Sequence, residues 1–155
     1  VLFRSGGRTS TGARSASPAG DGSPRRPGGG DGNLSGVEIR ARDDAMPFVT
    51  TDGSTIRSLL DRSNAPVANQ SLAEATIGAG ESTTRHYHRV SEEIYYLVEG
   101  TGEMELDGEL RAVGPGDAIL IPPGSWHTIR ATGDGPVRLL CGCSPPWSAD
   151  DTYFE

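Results

Sequence analysis

The sequence predicts an all-β protein, a sandwich or barrel of short strands. Three observations predict it. Turn signals recur about every 8–12 residues. The runs between them are rich in β-branched and aromatic residues. Gly and Pro together make up 33 of the 155 residues, which excludes a long-helix or coiled-coil protein.

The elements follow in chain order. Residues 1–36 hold ten Gly, three Pro and six Ser, and carry five Arg against two Asp. After Phe3 they have almost no apolar side chains, so they cannot bury enough surface to offset the entropy of ordering. The opening Val1-Leu2-Phe3-Arg4-Ser5 has no initiator Met and reads like a translated sequencing-adapter end. Residues 1–36 are therefore expected to be a disordered head or non-native read-through, with a native start near Val37 or at Met46. The domain is expected over residues 37–155, with a polar C-terminal tail from Pro145.

Within the domain, Thr55–Leu60 fits a short helix, because Ile56, Leu59 and Leu60 share an i, i+3, i+4 face. Residues 67–77 read as a strand that stops at Gly78-Ala79-Gly80. Glu93–Glu99 is a strand ended by Gly100. Met104–Leu106 and Leu110–Val113 flank Asp107-Gly108, a two-residue hairpin signal. Ala118–Ile121 is closed by Pro122-Pro123-Gly124, and Trp126–Arg130 and Val137–Cys141 complete the set.

Charge excludes some functions. The formal net charge is −7, all 14 basic residues are Arg, and no face obvious from the sequence is basic. Phosphate contacts need clustered Lys and Arg, so no nucleic-acid partner is expected. No apolar stretch reaches the ~18 residues of a membrane span, and the head lacks a secretory apolar region. The expectation is a cytoplasmic protein. Cys141 and Cys143 cannot make a disulfide framework. They read as small apolar filling on the last strand, with a thiol supporting or joining a metal site as the alternative.

The three His residues stand at informative places. On a strand, His86 and His88 point to one face, because the side-chain period is two. Glu93 enters the next strand after a short turn, which can return its carboxylate to that face. His127 follows the Pro122-Pro123-Gly124-Ser125 turn. Three imidazoles and one carboxylate suit a first-row divalent ion such as Mn, Fe, Co, Ni, Cu or Zn. Tyr95 and Leu97 share the strand parity of Glu93 and are expected to line the cavity, whereas Trp126 has the opposite parity to His127 and is expected to pack.

At this point the chain resembles the cupin superfamily, in particular the small bacterial single-domain cupins. The first motif of that family runs Gly, five residues, His-x-His, three or four residues, Glu, six residues, Gly. Gly80, His86-Tyr87-His88, Glu93 and Gly100 match every spacing. The second runs Gly, five residues, Pro-x-Gly, two residues, His, three residues, Asn. Gly116, Pro122-Pro123-Gly124 and His127 match, and Ala131 replaces the Asn. The resemblance implies a double-stranded β-helix, or jelly-roll barrel, and a metal held by His86, His88, Glu93 and His127. A spacing of three would instead select Glu92; the six-residue run to Gly100 favours Glu93.

The resemblance further implies one divalent transition metal as cofactor, of the group Fe, Mn, Zn, Ni and Co, a small-molecule substrate, and a homodimer. One fold hosts many reactions. The expectation is a metalloenzyme acting on a small oxygenated organic substrate, with dioxygenase-like oxidation ahead of isomerisation. Glu93 would serve as a catalytic base if it leaves the metal. The alternative is a non-catalytic module that binds or senses a sugar or other small molecule.

Overall fold

The computed structural model describes residues 36–155. The head expected over residues 1–36 lies outside them, Gly36 apart. Along the described chain the strands are β1 (Phe48–Val49), β2 (Thr55–Leu60), β3 (Ser71–Ile77), β4 (His86–His88), β5 (Glu92–Glu99), β6 (Gly102–Leu106), β7 (Glu109–Val113), β8 (Ala118–Ile121), β9 (His127–Ala131), β10 (Val137–Ser144) and β11 (Thr152–Phe154). Two three-residue 3-10 turns, Arg42–Asp44 and Ala149–Asp151, are the helical elements among the described residues. No helix there is long and apolar enough to cross a membrane.

The strands form two antiparallel sheets. One has the order β1-β2-β3-β10-β5-β8, and the other β11-β4-β9-β6-β7. Neighbours in each sheet are mostly distant in sequence, as the expected jelly-roll barrel requires. The alternation along β5 shows how the sequence specifies the packing. Glu93, Tyr95 and Leu97 are buried, while Glu92, Ile94, Tyr96 and Val98 are exposed. A strand period of two places the first set against the opposite sheet.

The core lies between the sheets and draws on both, with Leu97 and Leu139 from one and Met104 and Ile129 from the other. Leu97, Ile121, Ile129 and Leu139 are fully buried. Burying four such side chains contributes a gross 6–12 kcal/mol or so. The barrel therefore has an apolar core apart from any polar cluster, and a metal is not needed to create one.

Tight turns set the strand ends. Asp107 and Gly108 both have positive φ, 49° and 89°, as the two-residue hairpin between β6 and β7 demands. Gly100 has φ of 80°, and a Cβ there would collide with the Pro136 carbonyl.

Thr55–Leu60 corrects the helical expectation, because it is β2. It pairs with β1 on one side and with β3 on the other, Ile56 lying opposite Phe48 and Ala75. Six residues make a marginal helix, and Thr55 and Ile56 are β-branched. Two ladders therefore outweigh an apolar spacing that also fits a strand with a register shift between Ser58 and Leu60. The strand expected from Val67 starts only at Ser71, after a turn-rich stretch. The tail from Pro145 forms a 3-10 turn and then β11, an edge strand on β4.

Candidate metal centre

His86 and His88 lie on β4, and both are buried. His127 opens β9 and pairs across the ladder with His86. Glu93, at the start of β5, comes from the opposite sheet. One donor atom from each of the four lies within 4.8 Å of the others, and all four residues are buried. Glu92 is exposed, so the strand parity selects between the two neighbouring carboxylates.

Each imidazole is held from behind. His86 Nδ1 lies 2.7 Å from the Thr84 carbonyl and His127 Nδ1 3.0 Å from the Ser125 carbonyl. A carbonyl can only accept, so both Nδ1 atoms carry the proton. His88 Nδ1 lies 3.2 Å from Thr152 Oγ1. That hydroxyl donates to the Ser148 carbonyl at 3.1 Å, so its lone pair faces His88, whose Nδ1 is the donor. With the protons on Nδ1, each Nε2 keeps its lone pair for the centre of the cluster.

The inward atoms have no partner of their own. His88 Nε2, Glu93 Oε2 and His127 Nε2 are buried and make no hydrogen bond. The two nitrogens approach Glu93 Oε2 to 3.3 and 3.4 Å. With their protons on Nδ1 these nitrogens turn lone pairs toward a carboxylate oxygen, an unfavourable approach that a cation between them would relieve. Donors about 2.1 Å from one shared ion stand roughly 3.0–3.4 Å apart when adjacent. Buried unpaired polar atoms are costly, and these converge at ligand spacing. The residues present fit a divalent ion.

Electrostatics agrees. Burial pushes the Glu93 carboxyl up, but the His127 and His88 imidazoles beside it pull it further down, to about 2. Burial pushes His88 down, and Glu93 more than reverses this, so its pKa is raised. His86 is lowered by burial and by His127. Glu93 is thus an ionised carboxylate among imidazoles.

Two supporting residues come from outside the motifs. Cys143, opposite Glu93 on β10, places Sγ 3.4 Å from Glu93 Oε1. Burial raises its pKa strongly, so the thiol donates and leaves Oε2 to the imidazoles. Cys143 is thus more than filling. Asp151 accepts from Val90 N at 2.9 Å and Ser91 N at 2.9 Å, fixing the turn between His88 and Glu93. The sequence signal for both was weak: a Cys of the right parity on the last strand, and an acidic residue in a polar tail.

A cavity of about 420 Å³ opens on the cluster, with His86, His88 and Glu93 in its wall. Tyr95 lines it as expected. Leu97 does not, being sunk in the core. Trp126 packs beside Tyr87, ring centres 4.7 Å apart, under the Arg85 guanidinium.

A family model described as "Cupin domain" matches residues 73–143. An uncharacterized protein of Methanocaldococcus jannaschii is 46% identical over 110 residues, which is 71% of this chain and 88% of that protein. A 5-nitrosalicylic acid 1,2-dioxygenase of Bradyrhizobium is 47% identical over 58 residues, 37% of this chain and 28% of the enzyme. The solved polyketide cyclase RemF of Streptomyces resistomycificus superposes with a TM-score of 0.62 at 26% identity, covering 74% of this chain and 89% of that one.

Proposed function

The chain belongs to the cupin family, and on that premise we propose that His86, His88, Glu93 and His127 hold one divalent transition ion in a metal-dependent oxidoreductase. Its substrate is a small oxygenated organic molecule, and dioxygenase-like oxidation is favoured over isomerisation. One observation carries the reading: three buried, unpartnered atoms converge while the far side of each imidazole is held.

A bound ion would supply Lewis acidity toward a substrate oxygen and open positions beside its ligands. The protein's own residues do the rest. Thr84, Ser125 and Thr152 fix the imidazole tautomers. Cys143 holds one oxygen of Glu93, whose carboxyl stays ionised. In this reading Glu93 is first a ligand, and it takes up a proton only when released. The apolar wall, including Ile77, Ile129 and Leu139, excludes water around a bound substrate. Three nitrogens and one oxygen suit Fe, Mn, Zn, Ni and Co alike. The match to the Bradyrhizobium dioxygenase supports oxidation.

The likeness to RemF favours a second reading, in which the same site binds its ligand without oxidising it, with or without turnover. Elemental analysis of freshly purified protein, paired with oxygen uptake on a panel of phenols, enols and thiols, separates the two. Bound iron with oxygen uptake supports oxidation. Stoichiometric Zn or Mn without uptake selects the second reading. A protein that carries no metal after gentle purification, and takes none up, overturns both.

A further inference from the structure

The loop between β1 and β2 carries a carboxylate that the ligand set does not use. Asp52 Oδ1 accepts from Ser54 N at 2.9 Å, from Ser54 Oγ at 2.7 Å and from Thr50 Oγ1. Oδ2 has no partner among the described residues. The Asp52 carbonyl accepts from Thr84 N at 2.7 Å, and the Thr84 carbonyl in turn holds His86 Nδ1. Two hydrogen bonds thus tie Asp52 to the metal-facing strand, and its side chain lines the same cavity as the cluster.

The charge around that cavity is one-sided. Among the described residues its wall contains Asp52, Asp61 and Glu93 and no Arg, and the chain has no Lys at all. Asp61 is occupied by Ser58 on one oxygen and by Ser63 on the other. Glu93 faces the imidazoles. Asp52 is therefore the wall carboxylate outside the cluster that keeps an oxygen unpartnered among the described residues. The remaining wall is largely apolar. An apolar cavity of about 150 Å³ holds one benzene ring, so about 420 Å³ holds two to three fused rings.

These features select a ligand. A hydroxyl reaching Asp52 makes a charge-assisted hydrogen bond. An anionic group there would face a like charge, with no Arg or Lys in the wall to pair it. We propose that the cavity takes an uncharged molecule of two to three fused rings bearing hydroxyl groups, a phenol or its enol tautomer, and that Asp52 selects it over anionic analogues. This rests on the metal reading only for the oxygen at the opposite end of the ligand.

The test uses a matched pair, naphthalene-2,6-diol and 6-hydroxy-2-naphthoate, which differ in one end group. The full chain is loaded with Zn(II), its zinc content is measured, and both probes are titrated by calorimetry into loaded and metal-free protein. In the metal-free protein, where the carboxylate has no ion to ligate, the diol should bind about tenfold or more tightly than the acid. Asp52→Asn preserves the acceptor bonds of the loop. It should weaken the diol, strengthen the acid and bring the ratio to within about threefold, with zinc content unchanged. An acid that binds as tightly as the diol to the unaltered metal-free chain overturns the proposal, as does a ratio unmoved there by Asp52→Asn. Failure of both probes to bind at millimolar concentration overturns it too. A chain that takes up no zinc defeats the metal reading alone, and the metal-free titrations still decide the role of Asp52.

Discussion

The Thr152 hydroxyl accepts the Nδ1 proton of His88 across 3.2 Å. A side chain near the end of the chain thereby sets the tautomer of a residue in the first motif. Such supporting partners change metal affinity about 10–100-fold when removed. Thr152→Val should lower affinity by that order, measured by competition with a chromophoric chelator. Thr152→Ser should restore most of it. Equal affinities for the Val and Ser variants would show that the hydroxyl does not matter.

Strand parity makes Glu93 and Glu92 unequal. Glu93 is buried in the cluster and Glu92 faces out. Glu93→Gln should reduce metal content per chain at least severalfold, while Glu92→Gln leaves it unchanged. Equal losses on elemental analysis, or the reverse order, would remove Glu93 from the ligand set.

The metal-free protein should have a stability maximum near pH 6.5. Glu93 is lowered from 4.5 to about 2, so its contribution is complete above 4.5 and fades as pH falls toward 2. His86 is lowered from 6.5, so it costs stability as pH drops below 6.5. His88 is raised from 6.5. Its contribution is full below 6.5 and is lost as pH climbs through its folded pKa. Calorimetric melting from pH 4 to 9 checks this, and a melting temperature that climbs steadily from pH 6.5 to 9 contradicts it. Metal affinity should rise over that upper range, because the ion needs His88 deprotonated.

Gly100→Ala should destabilise the barrel by about 2–4 kcal/mol. Positive φ costs an L-residue roughly 1–2 kcal/mol, and displacing the Pro136 carbonyl adds a comparable amount. The expected fall in melting temperature is roughly 10 °C. A loss below about 2 °C would mean that the turn relaxes freely.

What the sequence made legible was local. The two-residue period placed His86 and His88 on one face and separated Glu93 from Glu92. Asp107-Gly108 announced its hairpin, and the run Glu93–Glu99 its strand. What it hid depends on partners far along the chain. Ile56, Leu59 and Leu60 fit helix and strand alike, and only pairing with β1 and β3 decides. Thr152-Tyr153-Phe154 is too short to announce itself. It becomes a strand because β4 offers an edge, with Tyr153 stacked 5.0 Å from Tyr87. Asp52 sits in a turn with no periodic signal, and its relation to His86 passes through Thr84.

The pairing of β11 with β4 has a consequence for synthesis. Thr152 is 64 residues downstream of His88. At about 5–20 residues per second, a ribosome needs roughly 3–13 s to make that stretch. All four cluster side chains are present once His127 has been added, and for the last stretch before Thr152, about 1–5 s, the nascent chain carries them without the hydroxyl that orients His88. Correct loading is therefore a late event, and an ion captured earlier meets an imidazole free to present either nitrogen.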